Sequence, residues 1–324
     1  MVGAMKLLVV GPDIRDLRKV KNFTGVQAYY LADQLRKRGV ELHFIDPKPS
    51  NPLEYFADVD GAGCDHVLAL GLRYFTHQPV GIATILKTKV PGAVTQLHDG
   101  LVHSSAAGME NVDCTFTFRD DQQRTRDWHR YADKYHYIGW AADHQLLYPE
   151  QNKTELRILI DHPYYKTGQP DITEAVTQDV LAFAHTGKWR DDFKTIKVRR
   201  LVNNGAEDVT LHNCTTKMFD RKHVPFPDIA REYRKAHVYM VTHKESVGLT
   251  CLELGYCGAL VVTSHGLIYP DRLETIRHVA YEGVRAPWGD VLSAINVPKS
   301  ALVARKQTWD LVAYRLLKWF ERQG

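Results

Sequence analysis

His237-Val-Tyr-Met-Val-Thr-His-Lys-Glu-Ser-Val-Gly-Leu-Thr-Cys-Leu-Glu-Leu-Gly-Tyr-Cys-Gly-Ala-Leu-Val-Val-Thr-Ser264 reads as a strand, a polar turn, a helix and a second strand. The apolar run from Val238 to Val241 suits a buried parallel strand. Gly248 opens a helical pattern with Leu249, Leu252 and Tyr256 on one stripe, and Gly258 stops it before Leu260 to Val262. The product is a βαβ unit with Glu245 in the turn at the carboxyl end of its first strand. In an open α/β sheet that end is where ligands bind.

Glu253 is the physical oddity of the stretch. It follows Leu249 by one helical turn, close to the apolar stripe and away from a solvated face. The amides of Ser246 to Thr250, among them those of Val247, Gly248 and Leu249, form a helix start, which favours an anion such as a diphosphate. A nucleoside diphosphate held there would bring its ribose hydroxyls within reach of Glu253 and its distal group near Glu245. The alternative is plain: Glu245 as a solvated turn residue, and Glu253 as a helical Glu with a basic neighbour.

The whole string resembles the donor-site motif of glycosyltransferases of the GT-B fold, in particular the large retaining group classed as family 4. That motif runs strand, Pro-Ser or similar, Glu, seven residues, Glu, with Gly-Leu inside and a Gly-x-Pro-Val-Val stretch after it. Glu245 and Glu253 have this spacing, Gly248-Leu249 fill the inner positions, and Cys257 to Val262 stands at the strand entry. Thr242-His243-Lys244 replaces the usual Pro-Ser, and Ala259-Leu260 replaces the Thr-Pro-like pair. The resemblance implies two Rossmann-like α/β domains facing across a cleft. Residues 1–150 would form the acceptor side, residues 151–301 would hold the nucleotide sugar, and a terminal helix over 302–324 would pack back on the first domain.

Length and composition allow this. The 324 residues suffice for two cores, and 44% hydrophobic with 25% charged residues is the balance of a soluble globular chain. No run approaches the about 18 apolar residues that span a bilayer, and Met1-Val-Gly-Ala-Met-Lys leads straight into a strand, unlike a signal peptide. Cys64, Cys114, Cys214, Cys251 and Cys257 are scattered without Cys-x-x-Cys spacing, which points to reduced thiols, a cytoplasmic protein and no zinc site. A net charge of +4 permits an anionic partner without demanding one.

In chain order, Lys6 to Gly11 is the expected first strand, followed by a basic loop and a helix from Thr24-Gly25 that sets Ala28, Leu31, Ala32 and Leu35 on one face. Gly39 ends that helix, and Val40 to Ile45 is the next strand. In the resembling family this first turn faces the cleft, which makes Gly25 a candidate binding residue; the other reading is a Gly that lets the chain turn. His66 to Gly71 and Ala93 to Leu97 are further parallel strands, the second ending in His98-Asp99-Gly100. A His followed by an acid at a strand's carboxyl end suits a general acid/base, and the family often places a His there; Asp-Gly turn chemistry is the alternative.

Cys114 to Phe118 and Tyr135 to Ile138 read as strands, with a basic segment carrying Arg124, Arg126 and Arg130 between them. Pro149 to Thr154 is the linker candidate, and Leu156 to Asp161 begins the second sheet. The family carries Gly-Arg and then a Lys after that strand, contacting the diphosphate. Here the chain runs Asp161-His162-Pro163-Tyr164-Tyr165-Lys166, so Lys166 is the candidate cation, with Arg199 or Lys244 as substitutes for the missing Arg. Ile172 to Ala184 and Phe226 to Ala236 pattern as helices, Thr195 to Val202 and Val209 to Leu211 as strands, and Leu302 to Arg322 as a long terminal helix.

The expected reaction is transfer of a sugar from a nucleoside diphosphate sugar to a hydroxyl acceptor, with retention implied by the resemblance alone. Catalytic candidates are Glu245, His98 and Asp99; binding candidates are Glu253, Gly248, Leu249, Val247, Lys166 and Gly25. No metal and no permanently bound cofactor is expected, because helix amides and Lys166 neutralise the leaving diphosphate. The acceptor is a saccharide or glycan, with glycosylation of modified bases in DNA as an alternative drawn from the basic, Trp128- and Tyr131-interleaved face of the first half. A nucleotide-sugar epimerase or an inactive donor-binding protein on the same fold are the rivals.

Overall fold

A computed structural model describes residues 4–20, 23–45, 52–61, 63–70, 81–97, 109–118, 131, 133–161, 172–202, 209–211, 214–220, 225–243, 249–264, 266–268, 273–274, 276–296 and 308–323. The chain divides into two compact units, Met1–Ala141 with Gln307–Gly324, and Ala142–Lys306.

In the first unit β1 (Lys6–Val10), β2 (Glu41–Ile45), β3 (His66–Ala69), β4 (Val94–Leu97), β5 (Cys114–Thr117) and β6 (Tyr135–Tyr137) form an all-parallel sheet in the order β2-β1-β3-β4-β5-β6. Every residue of β3, β4 and β5 is buried, as parallel strands covered on both faces require. Polar side chains among them bond within the sheet: Thr95 Oγ1 donates to the Val67 carbonyl at 2.7 Å and Gln96 Nε2 to Thr115 Oγ1 at 3.0 Å.

Helix α1 (residues 23–37) carries the chain from β1 to β2, with a π-helical turn at Gln27–Leu31 between α-helical Phe23–Val26 and Ala32–Lys37. Ala28, Leu31, Ala32 and Leu35 are buried, as the apolar spacing predicts. Gly39, at φ 83°, closes the helix: its N–H reaches the Arg36 carbonyl at 2.9 Å and that of Val40 reaches Leu35 at 3.1 Å, the paired bonds of a left-handed cap. Two short helices, α2 (Pro52–Asp58) and α3 (Gly81–Lys87), pack against each other and contribute Phe56, Ile82 and Leu86 to the core under β1 and β3.

The C-terminal helix, Trp309–Phe320, belongs to this first unit. It begins later than the residue pattern predicts because the Thr308 side chain caps it, accepting the Leu311 N–H at 3.2 Å; residues 301–307 lie outside the described set. Trp309 stacks on Tyr30 of α1 and meets Trp140 edge-on, Asp310 pairs with Arg38, and Phe320 packs on His66 and Phe116.

His66 gives this unit a pH dependence. Its Nδ1 accepts the Ala93 N–H at 2.9 Å, a bond that protonation at Nδ1 would break. Burial pushes the imidazole below its ordinary 6.5, with Asp65 pulling the other way, and His136 moves down likewise through burial and Arg322. The folded state therefore resists a proton that the unfolded chain accepts. This stability is complete above 6.5 and is lost as pH falls from there toward the folded-state values. Thermal unfolding midpoints are expected to drop as pH falls below 6.5, with a shallower slope in His66→Gln; an unchanged slope in that variant would assign the acid sensitivity elsewhere.

In the second unit the sheet order is β13-β12-β11-β7-β8-β10-β9, built from β7 (Glu155–Ile160), β8 (Thr195–Val202), β9 (Val209–Leu211), β10 (Cys214–Asp220), β11 (Val238–Val241), β12 (Leu260–Ser264) and β13 (His278–Tyr281). All neighbours are parallel except β9, which runs antiparallel to β10. The chain first winds outward from β7 through β8 to β10. It then crosses back to lay β11, β12 and β13 on the other side, so β7 and β11 flank the point where winding reverses.

On one face α4 (Thr173–Thr186) and α7 (Trp288–Asn296) bury Val176, Val180, Phe183 and Val291 against Ile158, Ile160, Met240 and Val262. Asp179 pins these helices together, accepting the Ala286 N–H and the Trp288 indole N–H, each at 3.0 Å, while Trp288 stacks on Phe183. Burial and Asp179 push the nearby Tyr281 phenol up to about 12. On the other face Arg157 of β7 and Arg199 of β8 both pair with Glu232 of α5 (Phe226–Lys235). The segment Pro149 to Thr154, the expected linker, is bonded into this unit: Glu150 N–H reaches the Arg234 carbonyl at 2.9 Å, and Gln151 Nε2 reaches those of Ala236 and Cys257 at 2.8 Å each.

Candidate functional site

Two polar side chains meet where the second sheet reverses its winding. Asp161 lies one residue past β7, with its N–H on the Met240 carbonyl at 3.0 Å, and His243 lies two residues past β11. His243 Nδ1 stands 3.0 Å from Asp161 Oδ2. Asp161 is 0% and His243 6% exposed, so the pair sits inside the protein at the strand ends. Between them Thr242 ties in the start of α4: its carbonyl accepts the Ile172 N–H at 2.9 Å and its hydroxyl accepts from Thr173 Oγ1 at 2.8 Å. Three elements thus converge on one carboxyl edge.

The helix α6 (Leu249–Tyr256) leaves the same edge and runs back along β12. Cys251, Leu252, Leu254 and Tyr256 are all buried, so the described side chains of α6 face the interior. Glu253 is 3% exposed, which bears out the spacing argument that it does not lie on a water-facing stripe. Its charge is felt inside: burial first, and Glu253 second, push the Cys257 thiol up, with Arg234 opposing. Gly258, at φ 79°, ends α6 as Gly39 ends α1, with the Ala259 N–H on the Leu254 carbonyl at 3.0 Å. Packing is tight, since a methyl group on Gly255 would meet Ile276 at 2.8 Å.

Of the residues singled out from sequence, Glu253 is thus placed, and Leu249 is placed in its backbone as the first residue of α6. Gly25 is buried in the first turn of α1. Glu245, Val247, Gly248, Lys166, His98 and Asp99 lie outside the described residues, as do Lys244, Arg124, Arg126, Arg130 and Trp128. Arg199, a substitute candidate for the diphosphate cation, is engaged otherwise: its guanidinium is matched by Glu232, which it shares with Arg157. Burial, then Arg199 and Arg157, push the neighbouring Lys197 ammonium down.

Asp161, His243 and Gln27 are the residues that sequence reasoning passed over. In the sequence the first two appear only as departures from a motif, far apart along the chain. Gln27 begins the π-helical turn next to Gly25 and is fully buried, with neither side-chain N nor O hydrogen-bonded among the described residues. Its signal was a polar residue beside the buried stripe of α1.

Among the described residues no group of three or more His, Cys, Asp or Glu side chains is arranged to hold a metal ion, and no helix is long and apolar enough to cross a membrane. No protein-family model and no curated protein matches the sequence. Solved structures do. AviGT4, a glycosyltransferase involved in avilamycin A biosynthesis, is similar over 98% of this chain and 97% of its own, with a TM-score of 0.62 at 12% identity. The N-terminal domain of Candida albicans trehalose-6-phosphate phosphatase is similar over 98% and 97%, at 0.59 and 9% identity. An alpha-glucosyltransferase in complex with UDP-glucose and DNA containing an abasic site is similar over 99% and 96%, at 0.55 and 11% identity. With two α/β units, each on its own parallel-strand sheet, and likeness over nearly the whole chain, this protein has the fold of the GT-B glycosyltransferases.

Proposed function

We propose that the chain is a glycosyltransferase that moves a sugar from a nucleoside diphosphate sugar to a hydroxyl acceptor. The observation that carries this reading is Glu253, a carboxylate held inside the protein on the helix that leaves the carboxyl edge of the second sheet. It stands at the spacing from Glu245 that resembles a donor motif. The fold supports the reading without deciding it, since one fold hosts many activities.

In this proposal the second unit holds the donor. Glu253 accepts from the ribose hydroxyls, the amides of Val247, Gly248 and Leu249 face the diphosphate, and Lys166 supplies a cation. Glu245 acts beside the sugar or its phosphate. In the first unit His98 with Asp99 takes the acceptor proton, and Gly25 permits close approach of the backbone. Charge on the departing diphosphate is met by fixed amides and cations, which makes a metal unnecessary. Buried cysteine thiols at Cys64, Cys114, Cys251 and Cys257 fit a reducing, cytoplasmic setting. Retention of the anomeric configuration is proposed on the motif resemblance.

The acceptor we propose is a saccharide hydroxyl. A hydroxyl on a modified DNA base is the second reading, favoured by the solved glucosyltransferase that holds DNA. Incubation with nucleoside diphosphate sugars, alone and with saccharides or hydroxymethylated DNA, tests these together. Transfer to a saccharide with the donor's anomeric configuration kept is the expected result. Epimerised donor without transfer would replace the transferase by an epimerase, and transfer to DNA alone would select the second reading.

A further inference from the structure

We propose that His243, paired with Asp161, is a contact residue for the donor's diphosphate at the carboxyl edge of the second sheet; this rests on the donor assignment made above.

Position is the first ground. In a sheet wound outward from β7 and then back to β11, ligands lie beyond the strand ends where the winding reverses, and these two residues occupy that place. The second ground is cost. Taking an imidazole and a carboxylate out of water is expensive, and apolar residues of similar size usually serve stability as well or better. The strands leading to the pair show that option in use, with Ile158, Leu159, Ile160, Val238, Met240 and Val241 all buried and apolar. A polar pair kept at their ends calls for a use other than packing.

The third ground is how four arginines of this unit are employed. Among the described residues Arg157 and Arg199 face Glu232, Arg200 faces Glu174 and Thr177, and Arg234 faces Glu150. Each lies along the sheet or its helices, bound to a carboxylate. His243 is a described basic side chain beyond the strand end itself. A carboxylate 3.0 Å from Nδ1 favours the charged form of the ring, and a charged imidazole is a charge-assisted donor to an anionic ligand. Asp161 is then a positioning residue, and the Thr242–Thr173 bond locks the strand end on which the ring is mounted.

The test is titration calorimetry of the full chain with uridine, guanosine, adenosine and thymidine diphosphates and with the parent nucleosides. His243→Gln is expected to weaken the bound diphosphate about tenfold or more, with the nucleoside changed less than about twofold. Asp161→Asn is expected to move the same selectivity in the same direction. Where a single change unfolds the protein, Asp161→Asn with His243→Gln, which leaves no unmatched buried charge, supplies the readout. Equal losses for diphosphate and nucleoside, or none in either, would overturn the role of His243 while leaving the donor assignment intact. An unaltered protein that binds no nucleoside diphosphate would overturn both.

Discussion

Glu253→Gln is expected to weaken nucleotide binding by about 1.5 to 3 kcal/mol, roughly 10- to 150-fold, with little change in the folded state. Gln keeps the length and shape of Glu, so the packing of α6 among Cys251, Leu252 and Leu254 is undisturbed. What is lost is the negative charge that would make a charge-assisted bond to a ribose hydroxyl. A buried carboxylate with a purely structural role would show the opposite pattern, a lowered unfolding midpoint with nucleotide affinity untouched. Affinity by titration and stability by thermal unfolding, measured on one preparation, separate the two. Glu245→Ala, by contrast, is expected to depress turnover more than affinity.

Trp309→Ala is expected to destabilise the first unit by about 3 to 5 kcal/mol, the range for emptying a buried aromatic site. Trp309 is the centre of an aromatic cluster, stacked on Tyr30 at 5.8 Å and edge-on to Trp140 at 4.8 Å, and Trp140 in turn meets Phe118. Removing it opens a cavity between the C-terminal helix, α1 and the chain after β6, which cannot collapse without moving all three. Urea unfolding followed by hydrogen exchange checks the size and the location. Loss of protection in β1, α1 and β6, with β7 and β11 protected as before, is the expected outcome; a cost below about 1 kcal/mol would mean that the helix is held by its Arg38–Asp310 ion pair and backbone bonds instead.

The strands of both sheets that carry the fold were legible where they are buried on both faces. Val238 to Val241 is a continuous apolar run and Leu156 to Ile160 is one broken only by Arg157, and such runs in a parallel sheet need no alternation to be recognised. β10 and β13 were not legible. Cys214-Thr-Thr-Lys-Met-Phe-Asp220 mixes polar residues and a cation into a strand one place from the sheet edge, and His278-Val-Ala-Tyr281 is short and half-exposed at the other edge. The short helices α2 and α3 span too few turns to show a helical period.

The candidate site divides in the same way. Glu253 was legible because helical spacing alone sets it against the apolar stripe. The Asp161–His243 pair was not, because no local pattern links a residue after β7 to one after β11. Only the crossover of the winding, a property of the whole unit, brings them together. Arg199 shows the reverse case. A cation on a strand near a phosphate-binding region looks available in the sequence, and the structure binds it to Glu232 of α5.

Hydrogen–deuterium exchange of the full chain, with and without saturating nucleoside diphosphate, tests the central claim most directly. A donor seated at the carboxyl edge of β7 and β11 predicts slowed exchange in peptides covering residues 238–264 and 156–176, with β1 to β5 unchanged. Slowing confined to the first unit, or none in either at a concentration that saturates binding, would contradict the assignment of the donor to the second unit.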